Sequence, residues 1–396
     1  MGRPARVVTA LTCLALIAAL ASGCGRSGTA VAGELDVRTL DTGTYPVNRY
    51  TYDSNNGGKG ATLEGIRMTA AVAPAVKIDP ALNIGRGGAV LASVDDVLNV
   101  SHLASAVKNV LVNRGFVAGF AASGSDREDV NDNPDPNGTT ITTRVLRFPT
   151  ADAAKLAARE LEDADFSVAL NVNQKLTLPD YPDAYAHWRP GVPTIGVAMA
   201  HKDFVISLFI LRPTADLQGL LSWSKKTLDA EVPVLDAFAA TPNDQIAQLP
   251  VDPDRLLART LVMDRDHRTV DPDKFAVFPA NWLVLPSDDL GFWTKLVADT
   301  GASEMSVADG SFVIRVRDAQ AGADLMAGMI RNLQETTTTA VDDKVPDSQC
   351  VHRSSDKKPS RCYVRYKQYV GVADGANDTE AKKKAVAQYA LLANSL

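Results

Sequence analysis

The chain has 396 residues, 45% of them hydrophobic and 22% charged, with a formal net charge of −6. That length holds two ordinary domains or one large one with ample core, and the composition is globular rather than disordered or fibrous. An acidic chain without a long basic run excludes nucleic acid as a partner class.

Residues 1–23 read as an export signal. Arg3 and Arg6 precede an apolar run from Val7 to Leu20, and Ala21-Ser22-Gly23-Cys24 follows. The run is too short for a spanning helix, which needs roughly 20 apolar residues. Ala21 and Gly23 also suit an ordinary signal peptidase, so plain secretion is the alternative, and the choice rests on Cys24. The stretch resembles a bacterial lipobox, with Ala21 where leucine is commoner; in such a motif the cysteine is acylated and becomes residue one. Cys13 leaves with the signal, and Cys24 would then be an unpaired thiol in an oxidising compartment unless modified. Each buried methylene contributes about 0.8 kcal/mol and one chain binds only marginally, so several acyl chains, palmitate among them, give lasting attachment. The expected location is the outer side of the cytoplasmic membrane. Losing the signal removes two arginines and no acids, which takes the net charge from −6 to −8. Residues 24–33, rich in small side chains, read as a flexible tether.

The body divides into an N-terminal domain, 34–250, and a C-terminal domain, 251–396. In the first, Leu63 to Val72 alternates as a strand does, and Ala73 to Gly88, with Pro74, Pro80 and three glycines, reads as irregular. Asp95 to Asn113 carries apolar residues at helical spacing and ends at Gly115, a C-cap residue. Phe116 to Ala122 and Thr140 to Phe148 are strands joined by a polar loop. Ala151 to Asp163 is a helix of strong helix formers. Asp165 to Pro193 is mixed, Thr194 to Ala200 and Phe204 to Leu211 form a hairpin, and Thr214 to Glu231 is a helix. The proline-rich stretch from Pro233 to Pro253 connects the halves. In the second half come a helix (Asp288 to Asp299), a hairpin over Ala308-Asp309-Gly310, a helix (Ala319 to Leu333), two short strands about Tyr366 and Tyr369, and a last helix (Glu380 to Asn394). The reading is an α+β fold of two similar halves, each an antiparallel sheet with helices packed on one face, in the order helix, strand pair, helix, strand pair, helix. Duplication of one module explains this; a shared alanine-rich composition explains it equally simply.

Few residues point to chemistry. Cys350 and Cys362 are the cysteines of the body and are expected to be bonded, contributing roughly 3 kcal/mol in the chain-entropy model. The five histidines show no metal-binding spacing, and no cofactor is implied. His187, Trp188 and Arg189 form the most functional-looking cluster, since an imidazole, an indole and a guanidinium together suit a pocket; the simpler reading is a surface loop anchored by Trp188. Asn56-Gly57-Gly58-Lys59-Gly60 departs from a phosphate loop at both ends. Asn131, Asn133, Asp135, Asn137 and Gly138 alternate oxygens like a calcium loop, but one carboxylate and two prolines favour a polar hairpin loop.

Taken together, the Cys24 signal, the Asp36 to Pro46 segment, the stretch Thr241 to Leu261 and the tail from Cys350 through Leu392 resemble an uncharacterised lipoprotein family of mycobacteria, nocardiae and relatives. The resemblance implies an envelope location and a two-part body, and it carries no active-site residue. The leading expectation is a non-catalytic envelope protein, probably no enzyme, binding a small apolar or lipid ligand or another envelope protein in the cleft between its halves. The alternatives are a tethered hydrolase using His187 with Asp180 or Asp183, and a passive scaffold.

Overall fold

The computed structural model describes residues 35–99, 103–333, 336–353 and 360–395. Cys24, the signal, the tether and His102 lie outside them. Two antiparallel sheets of seven strands organise the chain. The first holds β1 (Ile84–Leu91), β2 (Ala118–Ser125), β3 (Thr140–Arg147), β4 (Gln174–Leu178), β5 (Tyr181–Trp188), β6 (Thr194–His201) and β7 (Phe204–Leu211) in the order β1-β2-β3-β7-β6-β5-β4. The second holds β8 (Phe275–Pro279), β9 (Glu304–Ala308), β10 (Ser311–Arg315), β11 (Thr336–Thr339), β12 (Ser348–Arg353), β13 (Ser360–Tyr366) and β14 (Tyr369–Gly375) in the order β8-β9-β10-β14-β13-β12-β11. Position for position the two orders are the same, which is what duplication of one module predicts.

Nine helices complete the described chain: α1 (Gly60–Arg67), α2 (Ala75–Ile78), α3 (Val94–Asn99), α4 (Lys108–Asn113), α5 (Ala151–Ser167), α6 (Leu217–Ala237), α7 (Leu290–Thr300), α8 (Ala319–Arg331) and α9 (Asp378–Asn394). Helix α5 follows β3 as α8 follows β10, and α6 follows β7 as α9 follows β14. Each of the five longest begins on a side chain that accepts from its first turn: Thr150, Asp216, Asp289, Asp318 and Asn377. The α+β class and the two similar halves are as the sequence implied. The helices of the first half divide between the two faces of its sheet, because alternate strand residues on both faces are apolar. Ala154, Ala157, Ala158 and Leu161 of α5 pack on Leu146, Ala198 and Val205, whereas Leu220, Leu228 and Leu235 of α6 share a core with Val145, Val197 and Ile206.

The sequence misled at several elements. Leu63 to Val72 is not a strand: Gly60–Arg67 is helical, and residues 60 and 62–66 are buried. This helix is wedged between the sheets, with Leu63 and Ile66 in the second core and Gly65 against Val90 and Gly119 of the first. A helix covered on nearly every side loses the polar stripe by which helical periodicity is recognised. Gly60 allows its approach, since a Cβ there would lie 2.3 Å from the carbonyl oxygen of Ile246. The stretch read as irregular contains α2 and the start of β1. Asp95 to Asn113 is two helices rather than one, and the mixed stretch after Asp165 holds the hairpin β4–β5, so that His187 and Trp188 lie on a strand and not on a surface loop. Strands β8, β11 and β12 were also missed.

Residues 37–396 cluster as one unit. The halves meet through Leu285 and Leu290, which join the first core, and through main-chain bonds from Gly85 N to Ser287 O (2.7 Å) and Gly87 N to Leu285 O (3.0 Å). The space left between them beneath Leu285 and Leu290 is about 10 Å3. Cys350 and Cys362 stand directly opposite in β12 and β13 and are bonded.

One buried carboxylate ties four chain segments together. Glu64 of α1 is fully buried. It accepts from Arg147 Nη1 at 2.6 Å, Arg67 Nη1 at 2.7 Å, Thr241 N at 3.1 Å and Thr241 Oγ1 at 2.6 Å. Arg147, at the end of β3, also donates to Thr241 O (2.6 Å) and Asp203 Oδ2 (3.2 Å). A second buried acid, Glu231 of α6, accepts from Ala73 N at 2.9 Å, and its other oxygen makes no hydrogen bond among the described residues. Burial pushes its carboxyl up to about 8, against the opposing bond from Ala73.

Two outcomes are expected. Glu64→Ala strands the Arg147 guanidinium in the interior and lowers stability by about 3–5 kcal/mol in urea denaturation. Glu231 keeps its proton in the folded state up to about pH 8 but ionises near 4.5 when unfolded. Its contribution is therefore fully present below pH 4.5 and declines as pH rises through 8. Glu231→Gln should remove that decline, gaining on the wild type at pH 8 relative to pH 5 in parallel denaturation curves.

Candidate functional site

A cavity of about 840 Å3 opens on the α5 face of the first sheet. Strand register explains its place, since residues paired across strands form rows on one face. The row Leu91, Gly119, Leu146, Val205 and Ala200 lies in the closed core under α5, α3 and α4. The next is Ala89, Ala121, Arg144, Ser207, Ala198 and Tyr185. The third is Ser123, Thr142, Phe209, Gly196, His187 and Lys175. Helix α5 stops at Ser167 and leaves the latter two rows incompletely covered. Small residues there do not fill the space, and a cavity results.

The second half shows what the same positions hold when the face is filled. Arg144 and Phe312 each stand three residues before the last of their strand. The row through Phe312 reads Ala276, Val307, Phe312, Val372, Tyr363 and Gln349. Val307, Val372 and Tyr363 pack there with Leu325 and Met329 of α8. Where the second sheet has Val307, Phe312, Val372 and Tyr363, the first has Ala121, Arg144, Ser207 and Ala198.

Charged groups are zoned within the cavity. Arg144 forms part of the floor and is 5% exposed. Burial pulls its guanidinium down to about 10, with the charge of Asp165 opposing. On the α5 wall, Glu162 is held by His187 Nδ1 at 3.1 Å and by Lys175 Nζ. His187 Nε2 lies 3.9 Å from Asp165 Oδ2, and its ring meets Phe166 edge-on at 5.9 Å. The Lys175 ammonium sits 4.4 Å from the same Phe166 ring. Burial works to lower the Lys175 pKa, and its bonds to Asp163 and Glu162 raise it overall. On the opposite wall Arg86 of β1 makes a bidentate pair with Asp129 at 2.6 and 2.7 Å, and Asp132, Asn133 and Pro134 of the β2–β3 loop form the rim. That loop is held by its own Asx bonds, including Asn137 N to Asp135 Oδ1 at 2.8 Å.

The structure separates the three residues singled out in the sequence. His187 faces the cavity. Trp188, one residue on and so on the other face of the strand, packs against the first core and donates from its indole to Val192 O at 2.7 Å. Arg189 is exposed beyond the strand end. The acids beside His187 are Glu162 and Asp165, not Asp180 or Asp183. Both ring nitrogens face carboxylates, whereas a nucleophile–base pair needs one of them turned to the nucleophile. The large cavity lies within the first half, not in the cleft between halves. Sequence reasoning missed Arg144, Glu162, Asp165 and Ser207; the available signal was an arginine inside the alternating run Thr140-Ile141-Thr142-Thr143-Arg144-Val145-Leu146.

A family model described as the N-terminal part of DUF7373, a domain of unknown function, matches residues 51–251, and one for its C-terminal part matches residues 256–395. The chain belongs to this family. The DUF7373 chain has no match among curated proteins. Among solved structures it is similar to the extracellular domain of PknH from Mycobacterium tuberculosis, at 10% identity over 43% of this chain and 93% of that one. The TM-score of 0.28 is too low for an argument about fold or function.

Proposed function

We propose that this DUF7373 protein is an exported, non-catalytic binding protein of the actinobacterial cell envelope, held by lipid on Cys24 at the outer side of the cytoplasmic membrane. It takes a small apolar or lipid ligand in the cavity of its first half. The observation that carries the binding reading is the contrast between equivalent rows: large side chains close one face, and small ones leave about 840 Å3 open on the other. That volume falls in the range of small-molecule sites, and its apolar walls with a few polar groups have their usual character. Export is supported by the Cys350–Cys362 disulfide, which persists in oxidising compartments, and lipidation by the sequence around Cys24.

Filling the face as the second half does is the test of binding. Ala198→Tyr with Ser207→Val should leave melting temperature unchanged or higher, and should weaken an apolar fluorescent naphthylamine probe by about tenfold or more, the scale of one lost buried contact. Undiminished probe binding by this variant would sink the cavity reading. For the anchor, Cys24→Ser protein with its signal removed is expected in the aqueous layer of a detergent phase separation; partition with the detergent would refute lipidation.

A further inference from the structure

The cavity has a charge at its deepest described point. Arg144 is set between Ala121 and Ser207 on its neighbouring strands, and Ser207 turns its hydroxyl side toward the same space. The equivalent position in the second half is Phe312, so the strand does not need a cation there to pair or to pack. The other charged groups of the site have close partners: Arg86 with Asp129, and Glu162 with Lys175 and His187. Asp132 stands at the rim, and Asp165, on the last turn of α5, is the acid that acts on Arg144. Its side chain is 40% exposed, and it offsets burial of the guanidinium only in part.

We propose that the ligand is an acidic amphiphile, a long-chain monocarboxylate, whose head is received by Arg144 on the cavity floor beside Ser207. Its apolar body lies against Ala121, Ala198, Leu161, Val107 and Phe209. A planar guanidinium matches a carboxylate through two parallel hydrogen bonds, and such charge-assisted bonds are stronger where water is excluded. An uncharged chain would gain from the walls alone and leave the floor cation as it stands. This deepens the cavity reading and depends on it.

Titration of the full-length protein with cis-parinaric acid and with its methyl ester tests the idea, read by probe fluorescence. The acid should bind about tenfold or more tightly than the ester, the scale of one charge-assisted hydrogen bond. Arg144→Met should abolish that preference while leaving ester binding intact, and Arg144→Lys should keep part of it. If neither probe binds the wild type, the cavity reading fails and takes this one with it. If both bind equally, or if Arg144→Met keeps the preference, the carboxylate assignment alone is overturned. Should Arg144→Met not fold, Arg144→Lys and the acid-to-ester ratio of the wild type still decide.

Discussion

The buried pairing of Glu64 with Arg147 is the constraint on which the rest depends. Two opposite charges withdrawn from water tolerate each other only when nearly every lone pair and proton is answered, and here the answers come from α1, the end of β3, the β6–β7 turn at Asp203 and the chain at Thr241. The pair therefore fixes where α1 crosses between the sheets and where β3 ends. Because β3 alternates, fixing Arg147 on one face also fixes Arg144, three residues earlier, on the other. One arginine serves architecture and the other faces the cavity.

The two halves use a common layout for different ends. In the second, β8 to β14 and α8 enclose Phe275, Phe278, Tyr363 and Leu325 in a filled core. In the first, the closed core under α5 reaches only as far as Leu91, Leu146 and Val205, and beyond it alanine, glycine, serine and threonine dominate. Emptying the face costs apolar burial, which the separate core against α6 and α2 supplies on the reverse side of the same sheet.

Local signals in the sequence were dependable where the local chain decides the structure. Asp309-Gly310 has positive φ at both residues, as a tight hairpin needs. Gly115, at φ 72°, closes α4, and the alanine-rich α5 and α8 form where helix propensity is high. What stayed hidden is what tertiary contact decides. Helix α1 has no exposed stripe, and β1 is glycine-rich and bulged between Gly85 and Gly88. The site was half legible for the same reason: His187 stood out as part of a contiguous cluster, but a strand sends Trp188 to the opposite side, and the partners of His187 come from a helix some twenty residues upstream. Arg144 was visible as a residue of a repeated pattern, not as a floor.

The bonds from Gly85 and Gly87 to the 285–287 segment bear on how the molecule divides. Arg86, Gly87 and Gly88 form one side of the opening, yet their backbone is held by atoms belonging to the other family-model segment. Severed near residue 251, the first segment would keep every side chain of the cavity and lose the anchorage of its margin, leaving two amides without acceptors and a flank of Leu285 contacts bare. The binding unit is thus larger than the segment that lines it, and the second half acts as its buttress.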